Sequence, residues 1–275
     1  MKVITLTENT VCRPDLGSEH GLSLYIEACG HKILFDMGQS DLFVRNAETL
    51  GVDLAQVDLA ILSHGHFDHG RGLPEFLKVN QTAKIFIHKL AGEGHYSARP
   101  ENRVADIGID PEWLNDSRVV LTEGTVELFP GAVLFADVTG SELRSPANDT
   151  LLIQAGESYV CDPFLHEQSL ILTENGHRLL VGGCAHRGIV NILDRALELA
   201  GAPMEVVIGG FHMSVPSTGK SIPEELVRAV AARLLEQPET VYYTCHCTGS
   251  EAYATLRDAM GERVQYLAGG GIVEL

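Results

Sequence analysis

One short segment of the chain, residues 63–70, brings together four side chains that commonly bind metal ions. It reads SHGHFDHG and supplies His64, His66, Asp68 and His69. In an extended stretch His64 and His66 project to the same side, because side chains alternate with a period of two. These two imidazoles can bind one cation, while Asp68 and His69, where the chain turns into a helix, can face a second. Bringing these four side chains together in a buried place is unfavourable, because they lose hydration and repel one another, and bound cations relieve both effects. The segment therefore predicts two metal ions.

The ligand types narrow the choice of metal and of chemistry. Imidazole and carboxylate ligands suit zinc, and they are also used for iron and manganese. We therefore predict two divalent ions, Zn²⁺ in the first place, with iron or manganese as alternatives. Two close ions acidify a bound water and stabilise an oxyanion, which is the chemistry of metal-assisted hydrolysis. A polar loop of solvated histidines is the weaker interpretation, because the segment follows an apolar run that predicts a buried strand.

Two further segments, each between a predicted strand and a predicted helix, could complete the ligand set. Residues 182–186 read GGCAH, and residues 244–249 read TCHCTG. His186 and His246 are the candidate metal ligands of these segments. Cys184 is a further candidate, because it shares a face with His186 in an extended stretch. If the strand pattern continues, His246 points away from Cys245 and Cys247, so a Cys-His-Cys site is not expected.

Other polar residues beside predicted strands are candidates for catalysis or for the wall of the site. We expect Asp68 to orient the nucleophile as well as bind metal. His212, which ends the segment GGFH, is expected to contact the substrate or to transfer protons. His166, Glu167 and His88 are candidates for metal binding or for lining the pocket.

Residues 63–69 resemble the signature of the metallo-β-lactamase superfamily. The resemblance implies a four-layer αββα sandwich with two metals, one bound by His64 and His66 and the other by Asp68 and His69. Residues 35–38, FDMG, resemble the family's early strand and turn, so Asp36 would orient a metal-binding histidine without touching the metal. The family often has a bridging aspartate or cysteine in the region of residues 182–186, and no aspartate occurs there.

Three segments resemble one subfamily more narrowly. Residues 183–191, 208–212 and 245–249 are similar to the group described as 7,8-dihydropterin-6-yl-methyl-4-(β-D-ribofuranosyl)aminobenzene-5′-phosphate synthase-like. The resemblance implies a small, phosphorylated or pterin-like substrate, although fold and site do not by themselves fix a substrate. We expect a dinuclear metal-dependent hydrolase, with synthase-type transfer as a variant. The alternatives are a non-catalytic metal- or ligand-binding module, a phosphodiesterase or nuclease, and a di-iron redox enzyme.

Composition and charge weigh against several of these classes. The formal charge of −17 over 275 residues disfavours a nucleic-acid partner, because binding to phosphates needs a basic face. No apolar run reaches the roughly 18 residues of a membrane helix, and the N-terminus has the pattern of a short strand rather than of a signal peptide. We therefore expect a cytoplasmic protein with a small-molecule substrate and no membrane partner, and its oligomeric state stays open.

The elements that must position these residues follow an α/β pattern. In each half of the chain strands come first and helices later, which predicts two packed sheets with helices outside. We predict helices over residues 40–50, 73–79, 189–200, 221–236 and 250–260, the fourth opened by a capping box at residues 221–224. The chain is expected to form one domain, residues 1–275, with irregular segments near 89–117 and 140–167 bordering the site. His20 and His95 are expected in turns or at the surface.

Overall fold

Two large mixed sheets form the centre of the fold in the computed structural model, which describes residues 1–215 and 218–275. The strands that precede residue 142 are, in chain order, β1 (Lys2–Thr7), β2 (Ser23–Ala28), β3 (His31–Phe35), β4 (Leu59–Leu62), β5 (Lys84–His88), β6 (His95–Arg99), β7 (Arg103–Asp106), β8 (Val119–Thr122), β9 (Thr125–Phe129) and β10 (Ala132–Phe135). Those that follow are β11 (Leu151–Ala155), β12 (Ser158–Cys161), β13 (Ser169–Glu174), β14 (His177–Val181), β15 (Val206–Gly209), β16 (Ser214–Val215), β17 (Lys220–Ser221), β18 (Val241–Thr244), β19 (Val264–Tyr266) and β20 (Ile272–Glu274). The first sheet has the order β20-β1-β2-β3-β4-β5-β8, and the second has the order β19-β18-β15-β14-β13-β10-β9.

Helices cover the outer face of each sheet. They are α1 (Leu42–Leu50), α2 (Phe67–Gly70), α3 (Leu73–Val79), α4 (Ile189–Ala200), α5 (Glu224–Leu234) and α6 (Ser250–Met260). Successive residues of strand β3 pack on opposite faces of the first sheet. Ile33 and Phe35 pack between the two sheets, whereas Leu34 packs outward against α1 and α3. In β15 Ile208 faces the inner core and Val207 faces the layer of α4, α5 and α6. The predicted αββα sandwich is confirmed.

A third sheet corrects the prediction that residues 89–117 and 140–167 are irregular. Strands β6, β7, β11 and β12 pair in the order β12-β11-β6-β7. The sequence pattern is weak there because β12 is exposed along its whole length. Leu151 of β11 packs with Ile107 and Phe164 in a small apolar cluster that seats this sheet on the rest of the protein.

Helix boundaries agree with the predictions except at one capping box. Gly51 and Gly201 adopt left-handed conformations, with φ of 74° and 63°, and end α1 and α4 as predicted. The capping box at residues 221–224 is wrong: Pro223 is the residue before α5, and the Ser221 hydroxyl donates to the carbonyl of Ile222. Among the described residues no helix is long and apolar enough to cross a membrane.

The parallel strands of both sheets end at the same edge of the sandwich. Strands β3, β4, β5 and β8 are parallel neighbours in the first sheet. Strands β14, β15, β18 and β19 are parallel neighbours in the second. The loops that carry the predicted site residues follow β3, β4, β14, β15 and β18. Ligand sites in sheets of this kind form outside the carboxyl ends of the strands, and this edge is where the histidines converge.

Candidate metal centre

Three histidines from the two sheets meet at this edge with unpaired nitrogen atoms. One ring nitrogen each of His64, His66 and His186 lies within 4.8 Å of the other two. The Nε2 atoms of all three are buried and have no hydrogen-bond partner among the described residues. A buried polar atom without a partner costs about 1–3 kcal/mol, so three in one place need a common explanation. A cation bound by all three nitrogens would provide it.

Hydrogen bonds fix which nitrogen of these rings carries the proton. The Ser63 hydroxyl donates to Asp36 Oδ2 over 2.7 Å, so its oxygen accepts from His64 Nδ1 at 2.8 Å. Asn148 Nδ2 donates to the carbonyl of His186, which leaves Asn148 Oδ1 to accept from His186 Nδ1 at 3.0 Å. In both rings the lone pair is therefore on Nε2, the atom that faces the cluster. This is the arrangement that partners of a metal-binding histidine produce.

Burial keeps these rings neutral. It holds the pKa of His64, His66 and His186 well below the ordinary value, and neighbouring imidazoles add to the effect. A protonated imidazole has no lone pair for a metal, so the depressed pKa values keep the three histidines ready to bind.

A second group contains two histidine nitrogens that face each other. His69 Nδ1 donates to Asp36 Oδ2 over 2.6 Å, and His246 Nδ1 donates to Asn9 Oδ1 over 2.8 Å. Both Nε2 atoms then carry lone pairs, yet they are only 3.2 Å apart. Two lone pairs at this distance repel unless a metal ion or a proton lies between them. Two nitrogens bound to one tetrahedral zinc are about 3.3 Å apart, so the spacing fits a shared metal.

Asp68 supplies the negative charge of this second group. Its Oδ2 lies 3.2 Å from His246 Nε2, 3.2 Å from His20 Nε2 and 3.7 Å from His69 Nε2. Burial alone would raise the pKa of Asp68, but these histidines hold it well below the ordinary value. The pKa of His69 is raised in turn, because Asp36 and Asp68 outweigh the effect of burial. The carboxylate is thus ionised and available to a cation.

Cys184 lies between the two groups. Its Sγ is 3.1 Å from His69 Nε2, and it forms one donor cluster with His64 and His69. Burial raises the pKa of this thiol. A nearby divalent cation reverses that effect, because a coordinating thiol is deprotonated. Of the described residues in the loop after β14, Cys184 would be the one to contribute a donor atom beside both groups.

Several site residues adopt strained backbone conformations. Asp36, Ala185, His212 and His246 have φ of 61°, 57°, 44° and 50°. Left-handed conformations of this kind are uncommon outside glycine and concentrate at functional sites. At His246 the conformation belongs to a short 3₁₀ turn, so the predicted strand alternation is wrong there. Cys247 accordingly joins Cys184 and His212 in one cluster instead of pointing elsewhere.

Comparisons with known proteins agree with this geometry. The family model described as "Metallo-beta-lactamase superfamily" matches residues 16–142. The crystal structure of Tm1679, a metal-dependent hydrolase of the β-lactamase superfamily, superposes with a TM-score of 0.83 and 26% identity, covering 100% of this chain and 99% of that chain. The chain is therefore similar in sequence and fold to proteins of the metallo-β-lactamase superfamily. Zn²⁺-bound PqqB from Methylobacterium extorquens, at 12% identity and a TM-score of 0.62, shares the fold over the full length of both chains.

A named relative aligns over the whole chain. It is the 7,8-dihydropterin-6-methyl-4-(beta-D-ribofuranosyl)-aminobenzene-5′-phosphate synthase of Methanocaldococcus jannaschii. The two sequences are 28% identical over 298 aligned positions, which span 100% of this chain and 96% of the relative. The predicted resemblance to the superfamily and to this subfamily is confirmed.

One buried hydrogen-bond network was not predicted from the sequence. His95 is 1% exposed, so the expectation that it lies at the surface is wrong. Asp162 Oδ2 accepts from His95 Nδ1 at 3.1 Å and from His166 Nε2 at 3.2 Å. The Nδ1 of His166 accepts from the backbone of Gly65, between two predicted ligands, at 2.9 Å. His166 therefore supports the loop that carries His64 and His66. The lone pair of its Nδ1 is used to accept the backbone N–H of Gly65, so it is not directed at a metal.

Two further predicted residues also lie beside the donor groups. The Glu167 carboxylate accepts from the backbone N–H groups of His186 and Arg187 at 2.6 and 2.7 Å, and burial raises its pKa to about 7. His88 is buried, and its Nδ1 accepts from the backbone of Leu90 at 3.3 Å. Neither takes part in a donor cluster among the described residues. Glu167 holds the loop that presents His186, a role that its type and position in the sequence do not signal.

His212 and His20 complete the site toward solvent. Both ring nitrogens of His212 are buried without partners in the described part of the chain, and its ring centroid lies 4.2 Å from that of His186. His20, expected in a turn or at the surface, is partly exposed but contacts Asp68. Both line a cavity of about 200 Å³ that opens onto the metal-binding side chains. The third sheet contributes Ser97, Arg99 and Leu151 to its wall.

Proposed function

We propose that the chain is a hydrolase that binds two divalent metal ions, zinc in the first place, and acts on a small molecule. The observation that carries the proposal is the set of opposed or unpaired Nε2 atoms on five buried histidines. Each of these lone pairs is unfavourable in a metal-free core. All of them lie at the edge where the parallel strands of both sheets end.

The proposed ligands divide between two ions. His64, His66 and His186 would hold one ion, and Asp68, His69 and His246 the other, with Cys184 between them. When bound, two divalent ions acidify a water nucleophile and stabilise the charge that develops on the substrate oxygen. Asp36, Ser63, Asn9 and Asn148 keep the ligand nitrogens deprotonated through the bonds described above.

Two side chains are placed to handle protons and orientation. Asp68 faces the cavity as an ionised carboxylate and can accept a hydrogen bond from an attacking water. His212 also faces the cavity, and neither of its nitrogens is engaged by the described residues. We propose that His212 first takes up a proton on one ring nitrogen and then donates a proton to the leaving group, which leaves a neutral imidazole.

A second candidate is transfer of a group between two small molecules. The full-length relative named as a pterin-related phosphate synthase supports it. In that case the same residues would bind a phosphorylated or pterin-like substrate, and an acceptor other than water would attack. The two candidates differ in whether water alone is a sufficient co-substrate.

Metal analysis combined with turnover tests the proposal. Metal-replete protein should contain two divalent ions per chain and hydrolyse at least one of three generic substrates: 4-nitrophenyl acetate, 4-nitrophenyl phosphate and bis(4-nitrophenyl) phosphate. His64→Ala should lose one ion and the activity. His177→Ala is the matched control, because His177 is exposed and pairs only with Glu205 on the surface. Bound metal without hydrolysis favours transfer or a binding module, and a metal-free, inactive protein refutes the proposal.

A further inference from the structure

Strand β6 directs one face of alternating side chains toward the cavity. Ser97 and Arg99 both line it, two positions apart, as the period of two requires. Strand β11 pairs with β6 so that Leu151 lies opposite Ser97, and Thr150 and Leu151 line the same cavity. The third sheet thus forms a wall of the cavity opposite the metal-binding loops.

Arg99 carries a charge that the described protein does not neutralise. Its guanidinium makes no ion pair or side-chain hydrogen bond with any described residue. Other arginines near the site are engaged: Arg144 donates to the carbonyl of Asp162, and Arg187 donates to that of Pro163. Arg99 is also the only lysine or arginine among the cavity-lining residues that the structure describes. In a chain with a formal charge of −17, a partly buried arginine without a partner is available to a ligand.

Two hydroxyl groups next to Arg99 are also free. Ser97 is 4% exposed and lines the cavity, yet its hydroxyl has no partner within residues 1–215 and 218–275. The Thr150 hydroxyl, in the 3₁₀ turn immediately before β11, is likewise unpaired in that part of the chain. A planar guanidinium can donate two parallel hydrogen bonds to the oxygens of a phosphate or a carboxylate, and hydroxyl groups can donate further ones.

The rest of the wall is apolar. Phe67, Ile107 and Leu151 line the cavity and belong to one apolar cluster. A ligand that fills this cavity therefore contacts apolar side chains as well as Arg99 and the metal-binding side chains.

We propose that Arg99, with Ser97, binds an anionic oxygen group of the substrate. The substrate class is then a small molecule that carries an apolar part and a phosphate or carboxylate besides the reacting centre. This inference rests on the proposed function, because it takes the reacting centre to lie at the two metals. A hydrogen bond to a charged group contributes enough that loss of Arg99 should weaken binding of such a molecule about tenfold to one-hundredfold.

Hydroxamates that bind metal ions test the inference without turnover. Three probes are compared by calorimetry on metal-loaded protein: benzohydroxamate and its analogues bearing a phosphonate or a carboxylate at the 3 or 4 position. The wild type should bind at least one charged analogue about tenfold or more tightly than benzohydroxamate. The phosphonate and carboxylate arms show which oxyanion is preferred.

The advantage of the charged analogue should vanish in Arg99→Ala and persist in Arg103→Ala. Arg103 is the matched control, because it is paired with Arg99 across the strands but is exposed and lies beside Glu101. Equal binding of charged and uncharged probes to the wild type, or an unchanged advantage in Arg99→Ala, overturns the inference alone. Failure of every probe to bind, benzohydroxamate included, refutes the proposed metal function and the inference with it.

Discussion

The buried carboxylate of Asp36 is the place where a single change should disturb the centre most informatively. Its Oδ1 accepts from the backbone of Ser63 at 2.7 Å, while its Oδ2 accepts from the Ser63 hydroxyl at 2.7 Å and from His69 Nδ1 at 2.6 Å. The last bond keeps the proton of His69 on Nδ1 and directs the Nε2 lone pair at His246. We predict that Asp36→Asn weakens binding of the second metal, although Asp36 itself does not bind it.

The structure sets the size of the effect. The side-chain oxygen of an asparagine can still accept the backbone N–H of Ser63. Its NH₂ group then takes the place of Oδ2 and faces two donors, the Ser63 hydroxyl and the N–H of His69, so neither hydrogen bond can form as before. His69 can accept from this NH₂ only by moving its proton to Nε2, the tautomer that cannot bind metal. Hydrogen bonds to a charged group contribute about 1.5–3 kcal/mol each, so losing two lowers the free energy of unfolding by about 3–6 kcal/mol. Loss of such a partner typically reduces metal affinity about 10–100-fold.

Two measurements on the variant separate these effects. Competition with a fluorescent zinc chelator gives the affinity of each metal, and urea unfolding of the metal-free protein gives the free energy of unfolding. Asp53→Asn is the control, because Asp53 is exposed and its carboxylate accepts only the N–H of Ala55, at 3.0 Å. Two results together would refute the assigned role of Asp36. The metal affinities of the variant would lie within twofold of those of the wild type, and its free energy of unfolding would change no more than that of the control.

Two other perturbations address the rest of the centre. Asp162→Asn removes the ionised acceptor of two buried histidines and should lower the free energy of unfolding by about 3–6 kcal/mol. Urea unfolding at pH 7.5 checks this, and a loss under about 0.5 kcal/mol contradicts it. Acidification should destabilise the metal-free protein, because the folded-state pKa values of His64, His66 and His186 lie below the unfolded value of about 6.5. Below that pH the unfolded chain binds more protons, so stability falls as pH falls, and three such histidines give a slope of up to about 4 kcal/mol per pH unit. His69, whose pKa is raised, is protonated in both states below pH 6.5 and does not change this slope. Equal or greater stability at pH 5.5 than at pH 7.5 in chelator-treated protein would contradict it.

The parts of the centre that could be predicted from sequence share one property. His64, His66, Asp68 and His69 are close along the chain and follow a strand, so their proximity needs no knowledge of the fold. His186 and His246 could be predicted because they also end strands, and parallel strands bring their carboxyl ends to one edge.

The remaining features depend on pairings that no local pattern encodes. His95 and Asp162 are separated by 67 positions and meet only because β6 pairs with β11. Those two strands were not predicted, since their sheet buries few apolar side chains and lacks clear alternation. The place of Cys247 was missed for a different reason: a 3₁₀ turn at His246 replaces the extended chain that the alternation assumed.

The central claim is that donors from both halves of the chain converge on a pair of cations. Elemental analysis of protein purified in zinc-containing buffer, then dialysed against metal-free buffer, tests it most directly. We predict two tightly bound divalent ions per chain, falling to about one in His186→Ala. Protein that retains no metal after dialysis, while remaining folded and stable, would contradict it.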